Sequence, residues 1–276
     1  MPGYWDKLCG VIRVVDWGSQ LAKNTRRWWR PMSRNSSVLL ISLFLVSSGC
    51  SIAPPTENPI PAISSMSGDS QSKTLIVMLP GRGDRGDAFG TAEFDNIANS
   101  QNYDVLAVDA HLGYYIARNL LPRLHADVIL PARAQGYQNI WLLGVSMGGF
   151  GALLYAQEYP GEIDGVILLA PFLGSRGLIE EIEKGGGLSA WQGDTQGYEP
   201  YEIDLWRWLK KATGSVDGTP VVLGFGEADN MAPTYDVLIE ALGPSQVYKN
   251  DGGHRWTTWQ PLWRRIAAAL ELSLPD

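Results

Sequence analysis

The chain has 276 residues, 45% hydrophobic and 18% charged, with 22 Lys+Arg against 29 Asp+Glu and a net charge of −7. That length and apolar content suit one domain with a sizeable core plus an appendage. The acidic balance speaks against nucleic acid as a partner, three scattered histidines give no metal-ligand cluster, and no internal repeat marks a solenoid.

In chain order, the first signal is Val38–Val46, an apolar run too short to span a bilayer as a free-standing helix. Arg34 precedes it and Ser47-Ser48-Gly49-Cys50 follows. Read from Met32, the segment has the basic start, apolar middle and small-residue cleavage site of a secretory signal. Met1–Pro31, with Trp5, Trp17, Trp28 and Trp29, reads as an upstream extension, with Met32 as the expected start. The cysteine directly after Gly49 makes the segment resemble a bacterial lipoprotein signal. That resemblance implies cleavage before Cys50, a lipid on its thiol, and an exported protein anchored to a membrane and facing the periplasm or cell exterior. Without residues 1–49 the chain keeps 15 Lys+Arg and 27 Asp+Glu, net −12, so attachment would rest on lipid and not on charge. Residues 50–72 are rich in Pro and Ser and are expected to be a flexible tether.

From 73 to 276 short apolar runs alternate with helical stretches and predict a single domain. Strands are expected at Thr74–Leu79, Tyr103–Val108, Asn139–Val145, Gly165–Leu169, Pro220–Phe225 and Gln246–Tyr248. Helices are expected near Asp87–Ser100, Asn119–Gln135, Met147–Tyr159, Tyr201–Lys211, Thr234–Leu242 and Thr257–Leu272. The fold class is α/β: a mostly parallel sheet of about six strands with helices on both faces. Nothing before Lys73 reads as a further pair of leading strands, so a minimal core of about six is expected. Phe172–Trp208 is the least regular stretch, with Gly185-Gly186-Gly187 followed by Trp191, Tyr198, Tyr201, Trp206 and Trp208. Its aromatics either pack on the body or form a small lid over a pocket.

The chemistry centres on Ile140–Val145 running straight into Gly144-Val145-Ser146-Met147-Gly148. A buried strand, a Gly-x-Ser-x-Gly turn and a following helix lift Ser146 out of the fold and aim helix N–H groups at whatever it attacks. A serine hydroxyl needs a base, and the base needs an orienting acid. Of His111, His125 and His254, only His254 lies in a glycine-preceded loop just before the last helix. His125 reads as an ordinary helix-face residue, and His111 as a loop residue at a strand end. Val221–Phe225 ends in Gly226-Glu227-Ala228-Asp229, which makes Asp229 the favoured acid and Glu227 its competitor. The order Ser146, Asp229, His254 is that of one hydrolase architecture and not of chymotrypsin-like or subtilisin-like proteases.

An acyl-transfer site also needs oxyanion donors. One is expected from the backbone N–H of Met147. Leu75–Leu79 leads into Pro80-Gly81-Arg82-Gly83-Asp84. With these motifs the chain resembles the α/β-hydrolase superfamily over about Lys73–Leu272. Pro80–Asp84 is similar to the His-Gly-x-Gly loop of its carboxylesterase, phospholipase and acyl-protein thioesterase branch, with Pro80 in place of the histidine. The resemblance implies that the backbone N–H of Arg82 is the second donor.

The function expected is a serine hydrolase acting on a small-molecule carboxylic ester, with no cofactor and no metal. Thioesterase, lipase or phospholipase, and acyltransferase activities need the same residues. The alternative of another class is a lipoprotein that binds without catalysing. Gly81-Arg82-Gly83-Asp84-Arg85-Gly86 also spells Gly-x-Gly-x-x-Gly after a strand, but Asp84, Arg85 and Asp87 crowd charge where a dinucleotide pyrophosphate would sit. The oligomeric state is not legible in the sequence.

Overall fold

The structure is a computed structural model that describes residues 53–68, 72–214 and 218–271. Cys50 and the apolar run Val38–Val46 lie outside the described residues. Among the described residues, no helix is long and apolar enough to cross a membrane.

Among the described residues seven strands form one sheet: β1 (Ala62–Ser65), β2 (Thr74–Leu79), β3 (Asp104–Val108), β4 (Asn139–Val145), β5 (Gly165–Leu169), β6 (Val221–Gly226) and β7 (Val247–Asn250). Their spatial order is β1-β3-β2-β4-β5-β6-β7. Every neighbouring pair is parallel except β1 with β3, where Ala62 opposes Val108 and Ser65 opposes Val105. The count is one above the expected six, and the extra strand lies inside the stretch read as a tether. That part of the reading is corrected: Ile60 is buried in the core, and β1 closes the open edge of β3. An edge strand that is mostly exposed needs no apolar run, so Ala-Ile-Ser-Ser carries little signal.

The central strands are buried on both faces, as a sheet covered by helices requires. Along β2, Leu75, Val77 and Leu79 enter one apolar cluster while Ile76 and Met78 enter the other. β4 divides likewise, with Ile140 and Leu142 on one face and Trp141, Leu143 and Val145 on the other. Each fully buried Leu, Ile or Val contributes about 1.5–3 kcal/mol relative to exposure. The last helix, Trp256–Glu271, seats Trp259, Leu262, Trp263 and Ile266 on the second face.

Two expected helices are interrupted. Asp87–Ser100 becomes Asp87–Thr91 and Phe94–Asn99, broken at Glu93 with φ 59°. The Asn119–Gln135 stretch carries a π-helical segment, His125–Ile129, between the helices Leu120–Leu124 and Leu130–Ala134. The irregular insertion holds helices Arg176–Lys184, Gly187–Ala190 and Pro200–Thr213. Trp206 is fully buried and donates to Leu173 O at 3.1 Å; Trp191 is buried and donates to Thr195 Oγ1 at 2.8 Å. These two aromatics pack on the body and do not face an open pocket.

Candidate active site

Ser146 stands at the turn between β4 and the helix Met147–Glu158, with φ 51° and ψ −113°. A non-glycine residue there stores about 1–3 kcal/mol of strain, tolerated only where neighbours enforce it. Its N–H donates to Leu169 O at 2.9 Å, and its carbonyl accepts from Phe172 N at 3.0 Å and Gly149 N at 3.0 Å. The flanking glycines leave no room for a side chain. A Cβ on Gly144 would sit 2.3 Å from Gly148 O, and one on Gly148 would sit 2.0 Å from Leu79 O. Strand and helix are therefore pressed together below the serine, and Ser146 Oγ projects toward His254.

Asp229 lies in the turn after β6, closed by its N–H on Gly226 O at 3.0 Å. Its side chain is wholly buried. Oδ1 accepts from Met231 N at 2.9 Å, and Oδ2 faces His254 Nδ1 at 2.6 Å. His254 Nε2 lies 3.0 Å from Ser146 Oγ. The structure thus brings Ser146, His254 and Asp229 into one continuous chain of hydrogen bonds. Glu227 points elsewhere: its side chain is exposed, while its N–H donates to Asn250 O at 2.7 Å.

The acid and histidine loops are strapped to each other. Ala228 N–H donates to Gly252 O at 3.1 Å, Gly252 N–H to Asn250 Oδ1 at 3.1 Å, and Asn250 Nδ2 to Thr258 O at 2.9 Å. A Cβ on Gly226 would meet Gly252 O at 1.8 Å, so this approach demands glycine. Trp259 places its ring edge-on to the His254 imidazole, centroids 4.9 Å apart. The sequence gives no hint of that contact beyond a tryptophan five residues downstream.

The Gly81–Asp84 loop passes beside Ser146. A methyl group placed on Gly81 would lie 3.5 Å from Ser146 Cβ and 3.6 Å from Asp84 Oδ2. Arg82 and Gly83 are exposed at the loop tip, and the Asp84 N–H closes the turn on Gly81 O at 3.2 Å. Met147, after the serine, opens the helix, and its carbonyl accepts the Tyr115 hydroxyl at 3.1 Å. Burial pushes that phenol well above its usual pKa, which keeps it a hydrogen-bond donor. Tyr115 was not singled out from the sequence, where only the adjacent Tyr114-Tyr115 pair after β3 could have pointed to it. Burial likewise raises the Asp84 carboxyl pKa, with a hydrogen bond from Trp256 opposing the shift and Asp87 adding to it.

The other two histidines are committed elsewhere. His111 is buried and accepts from Gly113 N at 3.0 Å, and burial with help from Arg85 holds its pKa below the ordinary value. His125 lies 3.0 Å from the Tyr155 hydroxyl and stacks on Tyr159 at 4.2 Å.

Solved structures share this arrangement of sheet and helices. Est1E from Butyrivibrio proteoclasticus superposes with a TM-score of 0.55 at 16% identity, over 76% of this chain and 92% of that one. The chain has the α/β-hydrolase fold. A monoacylglycerol lipase from Paleococcus ferrophilus matches the same fold with a TM-score of 0.52 at 17% identity, over 77% of this chain and 98% of the other. FphF, a fluorophosphonate-binding serine hydrolase of Staphylococcus aureus, matches with a TM-score of 0.52 at 16% identity, over 79% and 99%. The family model described as serine aminopeptidase, S33, matches residues 124–192 of this α/β-hydrolase-fold chain, a stretch that contains Ser146 and stops before Asp229 and His254. No curated protein matches the sequence.

Proposed function

We propose that the chain is a serine hydrolase that cleaves a carboxylic ester through an acyl-enzyme intermediate. The observation that carries this reading is the unbroken Ser146–His254–Asp229 chain at 3.0 and 2.6 Å. In it, Ser146 Oγ attacks the ester carbonyl as His254 Nε2 takes its proton. Asp229 accepts from Nδ1, which fixes the tautomer and stabilises the imidazolium that forms. The backbone N–H groups of Arg82 and Met147 hold the oxyanion. His254 then returns the proton to the leaving alcohol, and water repeats the cycle on the acyl-enzyme.

An ester substrate is favoured by the likeness to a protein named as a monoacylglycerol lipase, and by Phe172. That phenylalanine is 38% exposed, its N–H is bonded to the Ser146 carbonyl, and it offers apolar surface beside the nucleophile. The reading includes export: signal cleavage before Cys50 and lipid on that thiol would hold the domain at a membrane facing the periplasm or cell exterior.

The test is turnover of p-nitrophenyl esters of increasing chain length beside a thioester and a peptide amide. The account expects ester hydrolysis that Ser146→Ala removes. Equal rates in wild type and Ser146→Ala, or turnover of the amide alone, would contradict it.

A further inference from the structure

A cavity of about 630 Å³ lies between the Gly81–Asp84 loop and the start of the last helix, walled by Asp84, Asp87 and Arg85 and by Trp256, Thr257 and Gln260. Both walls continue from the reacting groups. Asp84 closes the turn that begins at Gly81 beside Ser146, and Trp256 lies two residues after His254. A group bonded to an ester carbonyl at Ser146 therefore has a short path into this space.

The chemistry of the lining is asymmetric. Arg85, the one cation of the cavity wall among the described residues, is already paired with Asp109 at 2.5 Å. Gln260 is taken up by Ala92 O at 3.1 Å and Glu93 Oε2 at 2.9 Å. Asp84 accepts a hydrogen bond from Trp256, Asp87 is exposed on the cavity wall, and neither carboxylate has an ion pair among the described residues. Trp256 adds an indole braced edge-on by Phe89 and Phe94, at 5.3 Å from each.

Asp84 Oδ2 and Ser146 Cβ both lie within 3.6 Å of a methyl group placed on Gly81, so this carboxylate is a cost to the proposed reaction. It repels the oxyanion that develops at Ser146, because like charges at short range in a partly dry site are weakly screened. A substrate cation between the two would cancel that repulsion. An indole face and carboxylates are also the groups that bind ammonium ions best. The partial burial of Asp84, which makes its charged form gain from a counter-ion, points the same way.

We propose that this cavity is the specificity subsite of the enzyme and receives a positively charged ammonium group carried by the ester, with Asp84 and Asp87 as counter-charges and Trp256 as the apolar wall. The inference rests on the hydrolase reading above and narrows its substrate class.

The experiment compares two esters of the same shape that differ in charge, acetylcholine and 3,3-dimethylbutyl acetate, with the full chain in detergent. The expected kcat/KM ratio favours the cation by about tenfold, and Asp84→Asn brings the ratio close to one. Asp87→Asn should lower it less and serves if Asp84→Asn does not fold. A ratio near one in wild type, or a ratio that neither variant changes, overturns the subsite. So does failure to hydrolyse either ester by a protein whose Ser146 still reacts with a fluorophosphonate. If that label is also absent, the hydrolase reading fails and the subsite falls with it.

Discussion

The two sides of the site are built differently. The acid and histidine loops are tied by backbone hydrogen bonds, by glycines that admit no side chain, and by a buried carboxylate with both oxygens occupied. Opposite them, the Gly81–Asp84 loop carries an exposed Arg82 and Gly83 at its tip and borders an open cavity. Proton transfer tolerates little displacement, so its side is over-determined. The side that meets the substrate is shaped by a few exposed residues, which is where one fold can be turned to different esters.

The sharpest way to break this comparison is at the over-determined side. Asp229→Asn should lower kcat by about 10⁴-fold, because the amide misorients the imidazole and no other acid can substitute. Glu227→Gln, on an exposed side chain in the same turn, should change kcat by less than about twofold. Steady-state kinetics on one p-nitrophenyl ester checks both. A larger loss from Glu227→Gln would move the acid.

At the open side the contrast is between backbone and side chain. Arg82→Pro deletes the amide donor and should cost about 10²–10³-fold in kcat. Arg82→Ala keeps that donor and should cost less than about fivefold. An alanine effect as large as the proline effect would mean that the guanidinium itself binds substrate.

The contrast also predicts where stability resides. Gly148→Ala forces a methyl group onto Leu79 O and should cost about 3 kcal/mol or more, read as a fall in Tm. Gly83→Ala meets no neighbouring atom within 4 Å and pays only for its φ of 91°, about 1–2 kcal/mol. Equal losses would show that the elbow is less tightly packed than its contacts indicate. The smallest expected effect on rate is that of Cys50→Ala. It should leave kcat/KM unchanged and move the protein from the membrane to the soluble fraction of an expressing bacterium; retention in the membrane pellet would point to Val38–Val46 as an uncleaved anchor.

The same asymmetry governs what the sequence reveals. The five buried strands β2–β6 were legible because each is a run of mostly apolar residues. β1 was not, because Ala62–Ser65 is an edge strand held by its register on β3 and not by its own burial. The break at Glu93 falls on a non-glycine residue, with Gly90 three residues earlier the one local signal of it. Ser146, Asp229 and His254 could be picked out because each sits at the end of a recognisable strand or before a helix. Tyr115 reaches the Met147 carbonyl across the fold, through a contact that spacing does not encode, and the Trp259 contact with His254 depends on a ring orientation that spacing does not give.

The central claim is that Ser146 is a nucleophile activated by His254. The direct measurement is reaction of the full chain with a fluorophosphonate, followed by peptide mapping. The account predicts a single adduct on Ser146, absent in Ser146→Ala and strongly slowed in His254→Ala. An unlabelled wild type, or an adduct that persists in Ser146→Ala, would contradict it.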